Sequence, residues 1–475
     1  MLAAPGEPAA LGAAAGRAQP AGSAHERLLV ILAALAVLLT RLPWIGAGYG
    51  SDPDGYRVVF AARQIVRTGQ YQASRFPGYP VYEYLTALTA WSPPWLSNAL
   101  SALASVAAFV CFALIARAFG VRRYLLLALA FAMTPVIYIS SCCTIDYMSA
   151  LAAQLAATYA VLRGRPRLAG MLLGIGVGCR ITAGALVLPL CLWMLFNGER
   201  RRALRQCLAF GIALLAVCVL CFMPVWRRYG SDFFVFYDNG WYPPLDVVFS
   251  RALPLVWGVV GVAALAALLC ALPFYYRYAR RALALPRTRH ALWMALAAIV
   301  LYLIAYLRLP DEAGYLVPAV PFVLLAIALL TPPWAARTLA AALLVSSWVG
   351  FEHGVPSLDG PIVEDHLVRA SQQQSTAAIL DAVARLPGHA TIICGWVLPR
   401  ITLALDGERQ GPHQYIYLVE NPADYQHYLA EGRDLYYLPG VDLYESQAHD
   451  LELAQLGARK LAVPRERQRP QSTGE

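Results

Sequence analysis

The sequence is poor in charge and almost free of lysine. Only 14% of its 475 residues are charged, and Lys460 is the single lysine. An ordinary soluble domain has about 25% charged residues. Hydrophobic residues make up 59% of the chain, and the mean hydropathy is +0.52. This composition excludes an ordinary soluble domain and predicts a polytopic α-helical membrane protein.

The ten cysteines form neither a disulfide framework nor the spacing of a metal site. Nearly all lie in apolar stretches, with Cys142 and Cys143 adjacent and Cys394 alone near the C-terminus. Residues 352–475 contain no phosphate loop, dinucleotide fingerprint or zinc-ligand spacing. The net charge of +9 comes from arginines in short loops, which is typical of membrane topology. We therefore expect no nucleic-acid partner.

Apolar stretches long enough for membrane helices recur along most of the chain. Arginine-rich short loops lie between them, and the positive-inside rule assigns those loops and the N-terminus to the cytoplasm. The stretch 168–196 is interrupted at Arg180, so it is interpreted as two short helices that meet there. About eleven membrane segments result: 28–47, 95–118, 122–141, 146–163, two within 168–196, 204–224, 252–272, 291–307, 313–331 and 335–351.

The predicted organisation has three parts. Residues 1–27, rich in Ala, Gly and Pro, are expected to form a disordered cytoplasmic tail. Residues 28–351 form the transmembrane domain, whose first outer loop spans 48–94. In residues 352–475 a helical pattern alternates with strand patterns, which predicts an extracytoplasmic α/β domain. The patterns are ILDAVARL (379–386), TIICG (391–395), YIYLV (415–419) and DLYYL (434–438).

Ionisable residues recur at one predicted membrane face, where they are candidates for function. Carboxylates there can act as a general base or hold a divalent cation such as Mg²⁺ or Mn²⁺, and arginines can bind a phosphate. The simpler alternatives are a helix cap for Asp146 and interfacial charges for Asp311 and Glu312. The candidates are Asp52, Asp54, Arg75, Glu83, Asp146, Arg180, Arg308, Asp311, Glu312 and Tyr315.

Five features, in this order, resemble the GT-C superfamily of membrane glycosyltransferases, which includes protein O-mannosyltransferases and the aminoarabinose transferases of lipid A. Asp52 stands where that family has a catalytic acid, and Arg180 where it has a Lys or Arg. The chain departs from the family in having Asp-Pro-Asp at 52–54 in place of Asp-Glu, and Gly314 in place of a basic residue. The features are Asp52 after the first helix, RFPGYPVYE (75–83), TIDYMSALAAQLAATYA (144–160), GIGVGCRITAGALVLPL (174–190) and DEAGYLVPAVPFVLL (311–325).

The resemblance implies a GT-C-like fold and transfer of a sugar from a polyprenyl-phosphate donor to a lipid, glycan or protein acceptor. Transfer would invert the anomeric configuration at the outer face of a membrane, with a bacterial inner membrane as the expected location. Asp52 would be the general base, with Asp54 and Glu83 as the other catalytic candidates. The donor phosphate would be bound by Arg75, Arg180 and Arg308, and an acceptor or cation oriented by Asp146, Asp311, Glu312 and Tyr315.

Two other classes of protein stay open at this point. A transporter or flippase would also carry charges and broken helices within the membrane, but it should show an internal repeat, which we do not find. A non-catalytic assembly or polymer-export subunit would tolerate replacement of the outer acids.

Overall fold

The structure is a computed structural model that describes residues 24–234, 242–310, 312–352, 355–406, 413–417, 425–438, 453–455 and 457–463. Three sets of predictions lie outside these residues: most of the N-terminal tail, Asp311, and the end of the YIYLV pattern.

The described chain is helical up to Ser346, and proline opens many of its helices. Proline suits the first turn of a helix because its missing N–H is not needed there. The helices are α1 Ala24–Arg41, α2 Pro53–Thr68, α3 Pro80–Ala87, α4 Pro94–Ala118, α5 Tyr124–Met133, α6 Pro135–Ser140, α7 Tyr147–Leu162, α8 Pro166–Cys179, α9 Val187–Asn197, α10 Arg200–Tyr229, α11 Leu245–Ala252, α12 Pro254–Cys270, α13 Leu272–Ala284, α14 Pro286–Arg308, α15 Val320–Leu330 and α16 Pro333–Ser346.

Four helices of the described chain are long and apolar enough to cross a membrane. They are α1 with its extension to Trp44, α4, α10 and α14, and the pair α11–α12, bent by 73°, makes a fifth candidate. Helices α5, α7, α8 and α15, and the segment Ile181–Asn197, are apolar but shorter. The chain is therefore an integral membrane protein, whereas the count of eleven segments stays a prediction.

The predicted interruption at Arg180 is confirmed. Arg180 has an extended backbone (φ −159°, ψ 119°) between α8 and a 3₁₀ turn, Ile181–Leu186, that leads into α9. The predicted span 122–141 is likewise divided, into α5 and α6, because Pro135 follows Thr134 and lacks the N–H that a continuous helix needs. The segment predicted as the first outer loop, 48–94, contains α2 and α3.

Three glycines spaced by four residues bring α8 close to α10. A side chain at Gly170 would collide with the carbonyl oxygen of Phe210, and a Cβ at Gly174 would lie 2.7 Å from the Cβ of Val217. Gly178 lies on the same face, one turn further. Small residues at this spacing allow the backbones of membrane helices to approach each other. This packing fixes the direction in which α8 presents Arg180.

In the region after α16, the described residues contain three of the predicted patterns completely and the first part of the YIYLV pattern. A hairpin of β1 Gly350–Glu352 and β2 Val355–Ser357 precedes α17 Pro361–Ala384. Strands β3 Ala390–Ile393, β4 Gln414–Ile416, β5 Asp434–Tyr437 and β6 Arg459–Lys460 form a parallel sheet in the order β4-β3-β5-β6. The connections include α18 Leu398–Ala404 and α19 Gln426–Ala430. Its location outside the membrane stays a prediction.

Two helices of this C-terminal region contact the first outer loop. Helix α18 packs along α2, and α17 lies against α6 and above the turn that precedes α2. The C-terminal region therefore helps to position the residues around Asp52.

Candidate functional site

Asp146 holds two of the predicted phosphate-binding arginines. It directly precedes α7 and is fully buried. Its Oδ1 accepts a hydrogen bond from Nη2 of Arg75 at 2.9 Å, and its Oδ2 accepts one from Nη1 of Arg180 at 2.8 Å. Its side chain makes no capping hydrogen bond to α7. The helix-cap alternative for Asp146 is therefore wrong, and the carboxylate orients two guanidinium groups.

The charged network extends from Arg75 into α2. Asp54, in the first turn of α2, pairs with Arg75 and, at 3.0 Å, with Arg57. Positive and negative side chains therefore alternate through a chain of ion pairs, in the order Arg57, Asp54, Arg75, Asp146 and Arg180. Three arginines face two aspartates in this network, and the neighbouring Asp52 carboxylate balances the third positive charge. Planar guanidinium groups such as those of Arg75 and Arg180 are suited to binding a phosphate.

Three tyrosines surround the buried guanidinium of Arg180. Its Cζ lies 4.2 Å from the ring centroid of Tyr147, 4.9 Å from that of Tyr315 and 5.9 Å from that of Tyr79. A cation over an aromatic face is stabilised by about 0.5–2 kcal/mol, more when it is shielded from water. These rings keep Arg180 in place at the helix interruption.

Gly314 is required by the same cluster. A Cβ at this position would lie 2.5 Å from ring atoms of Tyr147. A larger residue at this position would displace that ring from Arg180. Gly314 therefore leaves the space that the Tyr147 ring occupies beside Arg180.

Asp52 and Glu312 face each other beside this network. Asp52 is the N-cap of α2, and its Oδ1 accepts the N–H of Asp54 at 2.8 Å. Its Oδ2 is buried and has no hydrogen-bond partner among the described residues. Glu312 accepts the hydroxyl of Tyr147 at 3.2 Å. Burial, followed by the neighbouring Asp52 carboxylate, raises the pKa of Glu312 well above its ordinary value.

Carboxylate oxygens of Asp52, Asp54 and Glu312 lie within 4.8 Å of one another. Oxygen ligands of this kind fit Mg²⁺ or Mn²⁺. Asp54 is already paired with two arginines. Asp52 and Glu312 therefore have more oxygen lone pairs available to bind a cation. The donor set fits the predicted divalent cation.

Glu83 holds the loop between α2 and α3. Its carboxylate accepts four hydrogen bonds, from the N–H and the hydroxyl of Ser74, the N–H of Tyr79 and the hydroxyl of Tyr71. Burial raises the pKa of Glu83, and these donors oppose the rise. These hydrogen bonds show that Glu83 positions the loop, and its predicted catalytic role stays a prediction.

Arg308 and Asp311 complete the set of predicted residues. Arg308 ends α14 with an exposed side chain, and the ion pairs of Asp146 join Arg75 and Arg180 instead. Asp311 lies outside the described residues. The structure therefore brings together eight predicted residues in one cluster with its supporting loop: Asp52, Asp54, Arg75, Glu83, Asp146, Arg180, Glu312 and Tyr315.

Sequence reasoning missed the contribution of α17. Asp365 accepts the hydroxyl of Ser51 at 2.8 Å and pairs with Arg369 at 2.8 Å. Arg369 also donates to the carbonyl oxygens of Ala47 and Cys142 at 3.3 Å. The only signal was the acid and base four residues apart in DHLVR (365–369), which indicates a helical ion pair but not its location.

Comparisons with known proteins agree with the sequence motifs. Residues 81–227 match the family model of dolichyl-phosphate-mannose-protein mannosyltransferase. Among solved structures, ArnT from Cupriavidus metallidurans bound to undecaprenyl phosphate is similar with a TM-score of 0.54 and 14% identity, over 86% of this chain and 89% of that one. None of the curated proteins matches the sequence.

Two further structures are less similar. ArnT from Cupriavidus metallidurans in the apo state has a TM-score of 0.44 and 16% identity, over 77% of this chain and 66% of that one. The oligosaccharyltransferase of Archaeoglobus fulgidus, in complex with Zn and sulfate, has a TM-score of 0.36 and 15% identity, over 92% of this chain and 62% of that one.

The matched segment 81–227 contains Glu83, Asp146 and Arg180, whereas Asp52 and Glu312 lie outside it. The chain thus resembles the GT-C membrane glycosyltransferases, in sequence over residues 81–227 and in fold over most of its length.

Proposed function

We propose that this protein is a glycosyltransferase that moves a sugar from a polyprenyl-phosphate donor to an acceptor hydroxyl. The observation that carries the proposal is the unpartnered, buried Oδ2 of Asp52, next to the guanidinium groups of Arg75 and Arg180, which Asp146 holds in place. A general base needs a free oxygen, and a departing phosphate needs cations. The site offers both within one cluster.

In the proposed reaction, Asp52 Oδ2 takes the proton of the acceptor hydroxyl. The acceptor oxygen attacks the anomeric carbon, and the bond from that carbon to the phosphate oxygen breaks. The polyprenyl phosphate leaves with the electron pair, stabilised by Arg180 and Arg75. A single displacement inverts the configuration. Arg308, at the end of α14, stays a candidate for contact with the lipid phosphate.

The remaining residues position these groups. Asp146 holds the two arginines, and Tyr79, Tyr147 and Tyr315 enclose Arg180. A divalent cation, Mg²⁺ or Mn²⁺, would be held by Asp54, Glu312 and one oxygen of Asp52; coordination through Oδ1 would leave Oδ2 for the proton. The ArnT structure contains undecaprenyl phosphate, which supports a carrier lipid of that class here. The acceptor would be a glycan, a lipid or a protein.

We further propose a bacterial inner-membrane location with the N-terminus in the cytoplasm. Arginines of the loops around 117–123, 163–167 and 200–205 support this orientation through the positive-inside rule. The cluster around Asp52 and the region after α16 would then lie at the periplasmic or extracellular face.

The test uses full-length protein in proteoliposomes with radiolabelled polyprenyl-phosphate sugar and a mixture of candidate acceptors. We expect label in an acceptor, with the anomeric configuration opposite to that of the donor. Movement of labelled lipid across the bilayer without transfer would favour the flippase alternative, and retained configuration would contradict the single displacement.

A further inference from the structure

A cavity of about 340 Å³ lies between α2, α17 and α18, on the side of α2 that faces the C-terminal region. Its polar lining consists of Tyr49, Tyr56, Arg63, Gln373, Thr376 and Arg400. The charged network around Asp146 contains none of these residues. The cavity is therefore a second polar feature beside the proposed active site.

The charged side chains that line the cavity are cationic. Arg400 is buried and donates to the carbonyl oxygen of Gln372 at 3.2 Å. Arg63 donates to the carbonyl oxygen of Leu403 at 3.3 Å and to Asp406 at 3.2 Å. Asp406 also pairs with Arg67, outside the cavity, at 2.6 Å. Among the described lining residues there is no carboxylate, so the cavity suits an anion.

The hydroxyl of Tyr56 supports a ligand in this cavity. Tyr56 is only 7% exposed, and its hydroxyl oxygen lies near the backbone N–H of Tyr49. No described group accepts the proton of this hydroxyl. Buried polar groups normally have a partner, and an unpaired hydroxyl is costly. A tyrosine hydroxyl is a hydrogen-bond donor, so it can donate to an acceptor in the cavity. A ligand oxygen would supply the missing partner.

Gly48 keeps that hydroxyl accessible. It has φ +68°, and a Cβ there would lie 2.7 Å from the Tyr56 hydroxyl oxygen and 3.5 Å from Nε2 of Gln373. Any larger residue would occupy the space in which a ligand oxygen can meet both side chains.

The cavity is close to Asp52. Tyr56 lies one helical turn after Asp52, the N-cap of α2, which is about 6 Å along the helix axis. Tyr49 precedes Asp52 by three residues. A sugar that occupies the cavity could therefore extend a neighbouring hydroxyl towards the proposed base.

We propose that this cavity binds an anionic group of the acceptor, a carboxylate or a phosphate, at a position other than the attacked hydroxyl. The acceptor class is then a sugar acid or a sugar phosphate. Tyr56 donates to the anion, Arg400 and Arg63 balance its charge, and Gln373 and Thr376 contact the sugar. The identification of the ligand as an acceptor rests on the proposed glycosyl transfer. Binding of the anion to the cavity can be measured without the sugar donor.

The experiment titrates detergent-solubilised full-length protein with glucuronate, inorganic phosphate and glucose by calorimetry. We expect saturable binding of at least one anion, with glucose at least about tenfold weaker. Preference for glucuronate or for phosphate distinguishes the two anions. Tyr56→Phe should weaken anion binding about tenfold, the usual worth of one hydrogen bond to a charged group. Arg400→Gln should weaken it further.

Two matched variants serve as controls. Tyr302→Phe removes another buried hydroxyl without a described partner, and Arg67→Gln removes an arginine that also pairs with Asp406 but lies outside the cavity. Neither should change anion binding. The proposal is overturned if no anion binds, if glucose binds as tightly, or if Tyr56→Phe and Arg400→Gln both bind normally. Absence of sugar transfer with normal anion binding would instead contradict only the proposed function.

Discussion

At Asp146, two guanidinium groups share one fully buried carboxylate. Asp146→Asn would keep the shape and remove the charge, which leaves Arg75 and Arg180 without their common partner. Breaking a buried ion pair in this way costs about 3–5 kcal/mol. We therefore predict that Asp146→Asn lowers the melting temperature by several degrees and nearly abolishes sugar transfer.

The matched control for this substitution is Asp246→Asn, at an exposed position in the first turn of α11. Thermal unfolding followed by tryptophan fluorescence, with the proteoliposome assay, measures both effects. An Asp146→Asn protein with the stability and activity of Asp246→Asn would contradict the arrangement around Asp146.

The buried carboxyl group of Glu312 predicts that the stability of the protein depends on pH. Its pKa in the folded protein is raised above the ordinary value of 4.5. Above about pH 4.5 the unfolded chain has lost this proton while the folded protein keeps it, so the free energy of unfolding falls as pH rises. Glu312→Gln removes this dependence. We predict that the melting temperature of Glu312→Gln, relative to wild type, rises as pH increases from 4.5.

The Glu312 measurement is made with a chelator, and then repeated with Mg²⁺ or Mn²⁺. A cation held by Asp52, Asp54 and Glu312 would stabilise the wild type more than Glu312→Gln. Parallel pH curves for the two proteins in chelator would contradict the raised pKa.

At the scale of elements, α17 fixes the turn that carries Asp52. The ion pair Asp365–Arg369 is fully buried and contacts Ser51, Ala47 and Cys142. Arg369→Gln should lower both the melting temperature and the transfer rate, because the turn 47–52 loses its attachment to α17. Arg385→Gln, exposed at the end of the same helix, is the control. Unchanged transfer in a destabilised Arg369→Gln protein would show that the attachment matters for folding alone.

The contact between α8 and α10 gives a steric prediction. Gly174→Ala places a Cβ 2.7 Å from Val217, and overpacking of this kind costs about 1–3 kcal/mol. Gly211→Ala on α10 has no heavy atom within 4 Å of its new Cβ. Alanine favours a helix over glycine by up to about 1 kcal/mol. We therefore expect a lower melting temperature for Gly174→Ala and an equal or higher one for Gly211→Ala.

At the scale of the whole molecule, local patterns predicted much of the structure. Apolar runs predicted α4, α7 and α14, and the polar Arg180 within such a run predicted the interruption of the helix there. Short apolar runs next to turn residues predicted β3 and β5. These elements have signals within about twenty residues, which periodicity can detect.

The site was only partly predictable. Acids and arginines at the ends of apolar runs pointed to Asp52, Asp146 and Arg180, but not to the fact that Asp146 joins two arginines. The contact of Ser51 with Asp365 spans more than 300 residues and leaves no periodic pattern. Long-range pairing depends on tertiary packing, so one sequence cannot reveal it.

The central claim is that Asp52 is the general base, and its most direct test is the transfer rate of Asp52→Asn in proteoliposomes. Asparagine keeps the oxygen that accepts the N–H of Asp54 and removes the basic carboxylate. Asp381→Asn, on the exposed face of α17, is the control. We predict that Asp52→Asn folds normally and transfers sugar about 10²–10⁴-fold more slowly than Asp381→Asn. A folded Asp52→Asn protein that transfers sugar at the wild-type rate would contradict the claim.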